Sequence, residues 1–232
     1  MNSEQNMEQF EKKVNIFFAD KNILKQAFVH RSYLNENKDF NIGHNERLEF
    51  LGDAVLELVI TDYLYRKYPE KNEGEMTSLR SALVNSNTLY VVGVDLGIND
   101  YLLLSKGEKK DTGRARQYIL ANTMEAIIGA IYIDQGYEKV KDFIYRHITP
   151  LVEKIISERS WIDSKSFFQE RAQEIEGVTP LYKTEKETGP DHNKHFTVGV
   201  YLKEELIATG EGDSKQNGEQ EAARKALEKK SW

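Results

Sequence analysis

An all-α domain followed by a smaller α+β domain is the fold this sequence predicts, on three observations. Apolar residues recur at intervals of three and four from Met1 to about Ser160. The texture changes after that point, and a period-two stretch then appears between two helical ones. The 232 residues suit one large or two small domains and carry enough apolar material for a real core.

Taken in order, Phe10, Val14, Phe17 and Phe18 set helical spacing near the start. Turn-forming residues predict loops at Asn35 to Asn45, at Tyr68 to Glu75 around Pro69 and Gly74, and at Ser105 to Gly113. Between them, 46–60 and 118–134 read as long apolar helices, and Pro150 opens or interrupts a last helix running toward Arg159. The predicted division is 1–160 and 161–232, with a linker at about 160–164. Phe167 to Ile175 is helical, and His195 to Leu202 alternates Phe196, Val198, Val200 and Leu202 as a half-buried strand does. Glu219 to Lys229 returns to helix, with Ala222, Ala223, Ala226 and Leu227 as its apolar face. Helix, strands and helix in this order fit a small module with its helices on one side of an antiparallel sheet.

Composition narrows the function. The absence of cysteine removes disulfides and thiolate zinc sites and favours a reducing compartment. Met1 to Phe10 is polar and acidic, without a signal pattern, and no apolar stretch approaches a membrane span. A cytoplasmic protein without membrane attachment is expected. The formal net charge of −6 argues mildly against a nucleic-acid partner, although a local basic cluster or bound metal ions can present a positive face on an acidic protein.

The most informative stretch runs from Asn45 to Ile60. It reads as a helix apolar nearly all round, on which Glu46, Glu49, Asp53 and Glu57 fall within roughly 80° of one another. Two carboxylates about 4 Å apart repel by several kcal/mol at an effective dielectric near 20, so something must offset them. A hard divalent cation with oxygen ligands would do so; so would solvent, or pairing with Arg47, Arg80 or His30. A second apolar helix, 118–134, carries Glu125 on one stripe with Asn122 and Gly129. Glycine inside a helix costs roughly 1 kcal/mol against alanine, and close approach by another backbone or a ligand would explain Gly129. Spacing alone does not establish that the two helices meet.

Glu46-Arg-Leu-Glu-Phe-Leu-Gly-Asp-Ala-Val-Leu56 closely resembles the signature of the ribonuclease III family. The similarity continues in order through Ala27 to Ser32, Leu79 to Val84, Asn87 to Leu89 and Ile119 to Gly129. The C-terminal part resembles a double-stranded RNA-binding domain of α-β-β-β-α order, with Phe168-Gln-Glu170 on its first helix and Gly189-Pro-Asp-His192 before its second strand. The resemblance implies a homodimeric endoribonuclease that uses Mg²⁺, with Mn²⁺ able to substitute. It would hydrolyse double-stranded RNA to 5′-phosphate and 3′-hydroxyl ends, in the processing of ribosomal and other structured precursors. Carried over residue by residue, Glu49, Asn122 and Glu125 would be metal ligands, Asp53 with Glu125 catalytic, and Glu46 and Glu73 supporting acids. Gln169, Glu170, His192 and Lys215 would touch RNA.

Two departures stand out. Asn122 departs from the members that carry Asp at that position; its amide oxygen can ligate Mg²⁺ but brings no charge. At the start of the last helix, Lys215-Gln-Asn-Gly-Glu219 keeps only one residue of the usual basic run. Other readings of Glu73, His192 and Lys215 are structural: Glu73 favours a helix N-terminus, His192 stabilises a turn through Asp191, and Lys215 stands where a helix dipole already attracts phosphate. A binding protein that has lost nuclease activity would ordinarily lack one of the acids, and Glu49, Asp53 and Glu125 are all present. A hydrolase of small phosphate esters would leave the C-terminal module without a role.

Overall fold

The computed structural model describes residues 3–158, 161, 163–190 and 194–232. They form two units, Met1–Trp161 and Ile162–Trp232. The first is helical: α1 (Ser3–Val14), α2 (Lys21–Ala27), α3 (Arg31–Glu36), α4 (Glu46–Lys67), α5 (Glu73–Val84), α6 (Ser86–Asp95), α7 (Arg114–Gln135), α8 (Tyr137–His147) and α9 (Leu151–Ser157). Single 3-10 turns at Ile98–Tyr101 and Glu108–Lys110 interrupt the run between α6 and α7. Pro150 caps α9, where its fixed φ and missing N–H cost nothing, so it opens the last helix of this unit. Asn72 and Glu75 form a reciprocal capping box, which starts α5 inside the stretch predicted as loop.

The two longest helices have different roles. α7 is buried nearly all round from Ile119 to Ile131 and is the central rod of the unit. α4 was expected to be similar, yet it buries only the face carrying Leu48, Gly52, Val55, Leu56, Val59 and Ile60. Its other face is open, with Phe50 82% and Leu58 57% exposed. Phe10 anchors α1 by packing edge-on against Phe28 with ring centroids 5.0 Å apart, whereas Phe17, predicted on the same face, is exposed because α1 ends at Val14.

One buried group has a pH consequence. The Nε2 atom of His147 is buried without a hydrogen-bond partner, its ring lies 4.8 Å from that of Phe143, and burial, then Arg146, holds its pKa below 6.5. The native state thus disfavours a proton that the unfolded chain accepts, so this contribution is present above pH 6.5 and is lost as pH falls. His147→Leu is expected to flatten the decline of stability between about pH 6.5 and 5, measured by denaturant unfolding at several pH values. An unchanged pH slope would contradict the assignment.

The second unit runs α10 (Ser164–Glu176), β1 (Leu181–Thr188), β2 (His195–Leu202), β3 (Glu205–Gly212) and α11 (Lys215–Lys230). The sheet is antiparallel in the order β1-β2-β3, and both helices contribute to one core with Val200, Leu202 and Ile207, chiefly Phe168, Ala172, Ala222 and Ala226. β2 buries Val198, Val200 and Leu202 as its alternation predicts. β1 shows no such pattern because it is an exposed edge strand rich in charge, which discourages pairing with other chains. α11 begins four residues before the predicted start at Glu219, where Ser214 caps it by accepting from the backbone N–H of Asn217 at 3.1 Å.

Candidate active site

The site is built where α4 crosses α7. A β-carbon at Gly52 would collide with the carbonyl oxygen of Glu125, and one at Gly129 with the carbonyl oxygen of Leu48. Glycine on both helices lets the backbones touch, and the close approach expected at Gly129 is what occupies it. The same contact sets Glu49 and Asp53 of α4 beside Asn122 and Glu125 of α7. Asn45 fixes the start of α4. Its buried side chain donates from Nδ2 to the Ala27 carbonyl at 3.1 Å, and its backbone N–H donates to Val29 at 2.9 Å.

The electrostatics follow from this crowding. Glu125 is pushed up to about 8 by burial and then by the charges of Asp53 and Glu49. Burial first, then Glu46 and Asp53, raises Glu49, while a hydrogen bond from the Asn122 side chain opposes the rise. Among the described residues, neither Glu49, Asp53 nor Glu125 has a Lys or Arg partner. Arg80, one of the neutralising candidates, instead donates to the Thr61 hydroxyl at 3.1 Å. Glu46 is different: it lies 3.9 Å from Arg31 and 3.7 Å from the His44 ring.

Beside the acids lies a pocket of about 370 Å³ whose lining includes Glu46, Glu49, Asn122, His30 and Glu108. Sequence reasoning missed His30 and Glu108 as pocket residues, since Glu108 sits in a stretch that reads only as a charged loop. Arg116 holds that loop by donating to Asn99 Oδ1 at 3.0 Å and to the backbone carbonyls of Glu108 and Asp111. Ser105 N–H donates to Ser32 Oγ at 3.1 Å, tying the loop to α3.

Glu73 stands elsewhere. Arg80 meets Thr61, so α5 runs back along α4 and its first residue lies near the far end of that helix. Eighteen residues at 1.5 Å each put Lys67 about 27 Å from Glu49 along α4, so Glu73 is not brought to the cluster within this chain. Its carboxylate accepts from the Thr77 hydroxyl at 3.1 Å in the first turn of α5, the structural role weighed for it above.

The donor set fits a hard divalent cation in its chemistry: three carboxylates and one amide, all offering oxygen, lie close enough to perturb one another, and among the described residues no Lys or Arg pairs with the three acids. No three His, Asp or Glu side chains among the described residues are already set as a metal cage. Closing the set around an ion therefore requires rotation of the long Glu49 and Glu125 side chains.

In the second unit, Gln169 and Glu170 are exposed on α10 and Lys215 is exposed in the first turn of α11. His192 lies outside the described residues. Many of this unit's cations are paired internally: Lys165 with Glu219 at 2.6 Å, Arg171 with Glu174 at 2.6 Å, Arg224 with Glu221 at 2.7 Å and Lys230 with Glu176 at 2.7 Å.

A helical unit with an acid centre, joined to an α-β-β-β-α unit, is the arrangement expected of a nuclease of double-stranded RNA, and the comparison with known proteins carries the assignment. Residues 20–152 match the family described as Ribonuclease-III-like, and residues 164–230 match the Double-stranded RNA binding motif. The chain is 42% identical to Ribonuclease 3 of Nitratiruptor sp. over 95% of both chains, and 47% identical to that of Streptococcus pneumoniae over 92% of both. The nuclease domain of ribonuclease III from Campylobacter jejuni is 39% identical, with a TM-score of 0.56 over 64% of this chain and 95% of that one. The chain belongs to the ribonuclease III family and is an endoribonuclease acting on double-stranded RNA. No helix among the described residues is long and apolar enough to cross a membrane.

Proposed function

We propose that the chain is a Mg²⁺-dependent, homodimeric endoribonuclease that cuts duplex RNA to 5′-phosphate and 3′-hydroxyl ends, in processing ribosomal and other structured precursors. The meeting of Glu49, Asp53, Asn122 and Glu125 at the glycine crossing carries this reading. Glu49, Glu125 and the Asn122 amide oxygen would hold the ion, for which Mn²⁺ can substitute, and Glu46 supports Glu49 from the pocket side. When bound, the ion supplies Lewis-acid polarisation of the phosphate and a water of lowered pKa. Asp53, the exposed acid of the group, would orient the attacking water and accept its proton. Gln169, Glu170 and His192 would read the duplex by shape across its minor groove, and Lys215 would grip a phosphate. The test of the chemistry is the ends: products must be substrates for a 5′-phosphate-dependent exonuclease, and 2′,3′-cyclic phosphate termini would overturn the hydrolytic reading.

The open face of α4 supports the dimer. Phe50 and Leu58 are too exposed for a face meant for water, and the relevant solved structure from Campylobacter jejuni is described as having a region involved in dimer formation. A two-fold dimer is expected by light scattering at micromolar concentration, and Phe50→Glu should shift it to monomer. A wild-type monomer with intact activity would contradict this.

The second unit carries 11 Lys and Arg against 14 Asp and Glu from Trp161 to Trp232. With many cations already paired, few counterions can be released, so a shallow salt dependence of duplex binding is expected for this unit alone. The full-length dimer should bind more tightly because two tethered units engage one duplex. Equal affinity and equal salt slope for both would contradict it.

A further inference from the structure

Two polar groups of the pocket have no part in the acid centre. His30 caps α3: the backbone N–H of Ser32 donates to its Nδ1 at 3.3 Å, and the Ser32 hydroxyl oxygen lies 2.8 Å from the same atom. An N–H aimed at Nδ1 leaves no room for a hydrogen there, so the neutral ring carries its hydrogen on Nε2. Burial holds the pKa of the ring below 6.5 against the pull of Glu108 and Glu46, and Nε2 has no bonded partner among the described residues. The carboxylate of Glu108 has none either. Ser105 fixes the two relative to each other. Its N–H donates to Ser32 Oγ at 3.1 Å, behind the His30 ring, and its own Oγ accepts from the Glu108 N–H at 3.2 Å.

A donor and an acceptor that line one pocket of about 370 Å³ without bonding each other fit a hydroxyl, which takes one hydrogen bond and gives another. They do not fit a phosphate, which only accepts and which Glu46, Glu49 and Glu108 repel. Duplex RNA displays such a hydroxyl at every nucleotide, the 2′-OH of the wide minor groove. We propose that His30 and Glu108 form a ribose subsite beside the cut, in which His30 Nε2 donates to a 2′-oxygen and the Glu108 carboxylate accepts its hydrogen. This rests on the reading of the acid centre between α4 and α7 as the place of cleavage. A deoxyribose at that position strands both the donor and the acceptor, which is how a site built to bond a hydroxyl rejects the analogue that lacks it. The helical unit thus selects RNA over DNA by itself, apart from the second unit.

The experiment is single-turnover cleavage in Mg²⁺ by the full chain, as wild type, H30N and E108A, of a duplex with one main cut. The duplex is made all-RNA and with single 2′-deoxy substitutions walked across the nucleotides flanking that cut. Asparagine is a good helix cap, so H30N keeps the start of α3 while its shorter side chain withdraws the donor from the pocket. Melting curves check that the variants fold, and E108A carries the test alone if H30N does not. In wild type, one deoxy position should slow cleavage about tenfold. H30N and E108A should be about tenfold slower than wild type on all-RNA and lose nothing more at that position, while responding as wild type does elsewhere. Wild type indifferent to every deoxy position overturns the proposal, as do folded variants that match wild type on all-RNA or stay fully sensitive at that position. If wild type cuts nothing in Mg²⁺, the nuclease reading fails and the proposal with it. If wild type cuts and the variants keep its deoxy sensitivity, only the ribose subsite is refuted.

Discussion

Alanine at Glu125 or at Asp53 is expected to reduce cleavage of duplex RNA by about a thousandfold or more, while duplex binding in Ca²⁺ survives. Asp53 is exposed, so its removal should cost little folding stability. Glu125 is instead held in a setting that penalises its charge, with its pKa pushed up to about 8 by burial and by Asp53 and Glu49. Glu125→Gln, which keeps the side-chain volume and removes the charge, should leave the metal-free melting temperature at neutral pH close to that of wild type and serves as the control that separates lost activity from unfolding. Single-turnover cleavage and filter binding on the same preparations make the comparison. Retention of more than about five per cent of the wild-type rate in both variants would contradict the site.

A methyl group at the crossing should be as damaging by a different route. In Gly52→Ala the new β-carbon meets the carbonyl of Glu125, and in Gly129→Ala that of Leu48; both obstacles are backbone, which cannot rotate aside. The helices must separate. Overpacking of this kind costs roughly 1–3 kcal/mol or more, which for the helical unit means a fall of about 5–10 °C in melting temperature. Since separation widens the gap between Glu49 and Glu125, cleavage in the protein that remains folded should drop as well. Gly93 on α6 is the control: a β-carbon there makes ordinary contacts of 3.6 Å with Ile98 and with the Leu120 carbonyl oxygen, so alanine should be neutral or mildly stabilising. Melting curves in which all three variants behave alike would contradict the crossing as the organising contact.

What could be read from the chain follows physical lines. Period and punctuation reveal α4, α7 and β2 because each has a buried face that the sequence must spell out in apolar residues. Acids set among such apolar runs are conspicuous, which is why Glu49, Asp53 and Glu125 could be singled out. In a sequence an exposed apolar residue looks the same as a buried one, so Phe50 and Leu58 made α4 read as apolar all round when one side is open. β1 has no inward face worth an alternation, and it is legible only from the strands it must pair with. Glu108 reaches the pocket through a loop held by Arg116, a contact with no local signature. Glu73 stands toward the far end of α4 within one chain, a placement set by the direction of α5 that the sequence does not spell out.

The acid centre and the duplex-binding unit together make one claim, that this chain cuts double-stranded RNA at an ion held between α4 and α7. The most direct measurement incubates the purified full-length protein with a long RNA duplex, in Mg²⁺ and in EDTA, beside the single strands and the same duplex as DNA. The account predicts short RNA duplex fragments in Mg²⁺, none in EDTA, restored cutting when Mg²⁺ is returned, and little action on single-stranded RNA or DNA. Cleavage that persists undiminished in EDTA, or an intact RNA duplex in Mg²⁺, would contradict it.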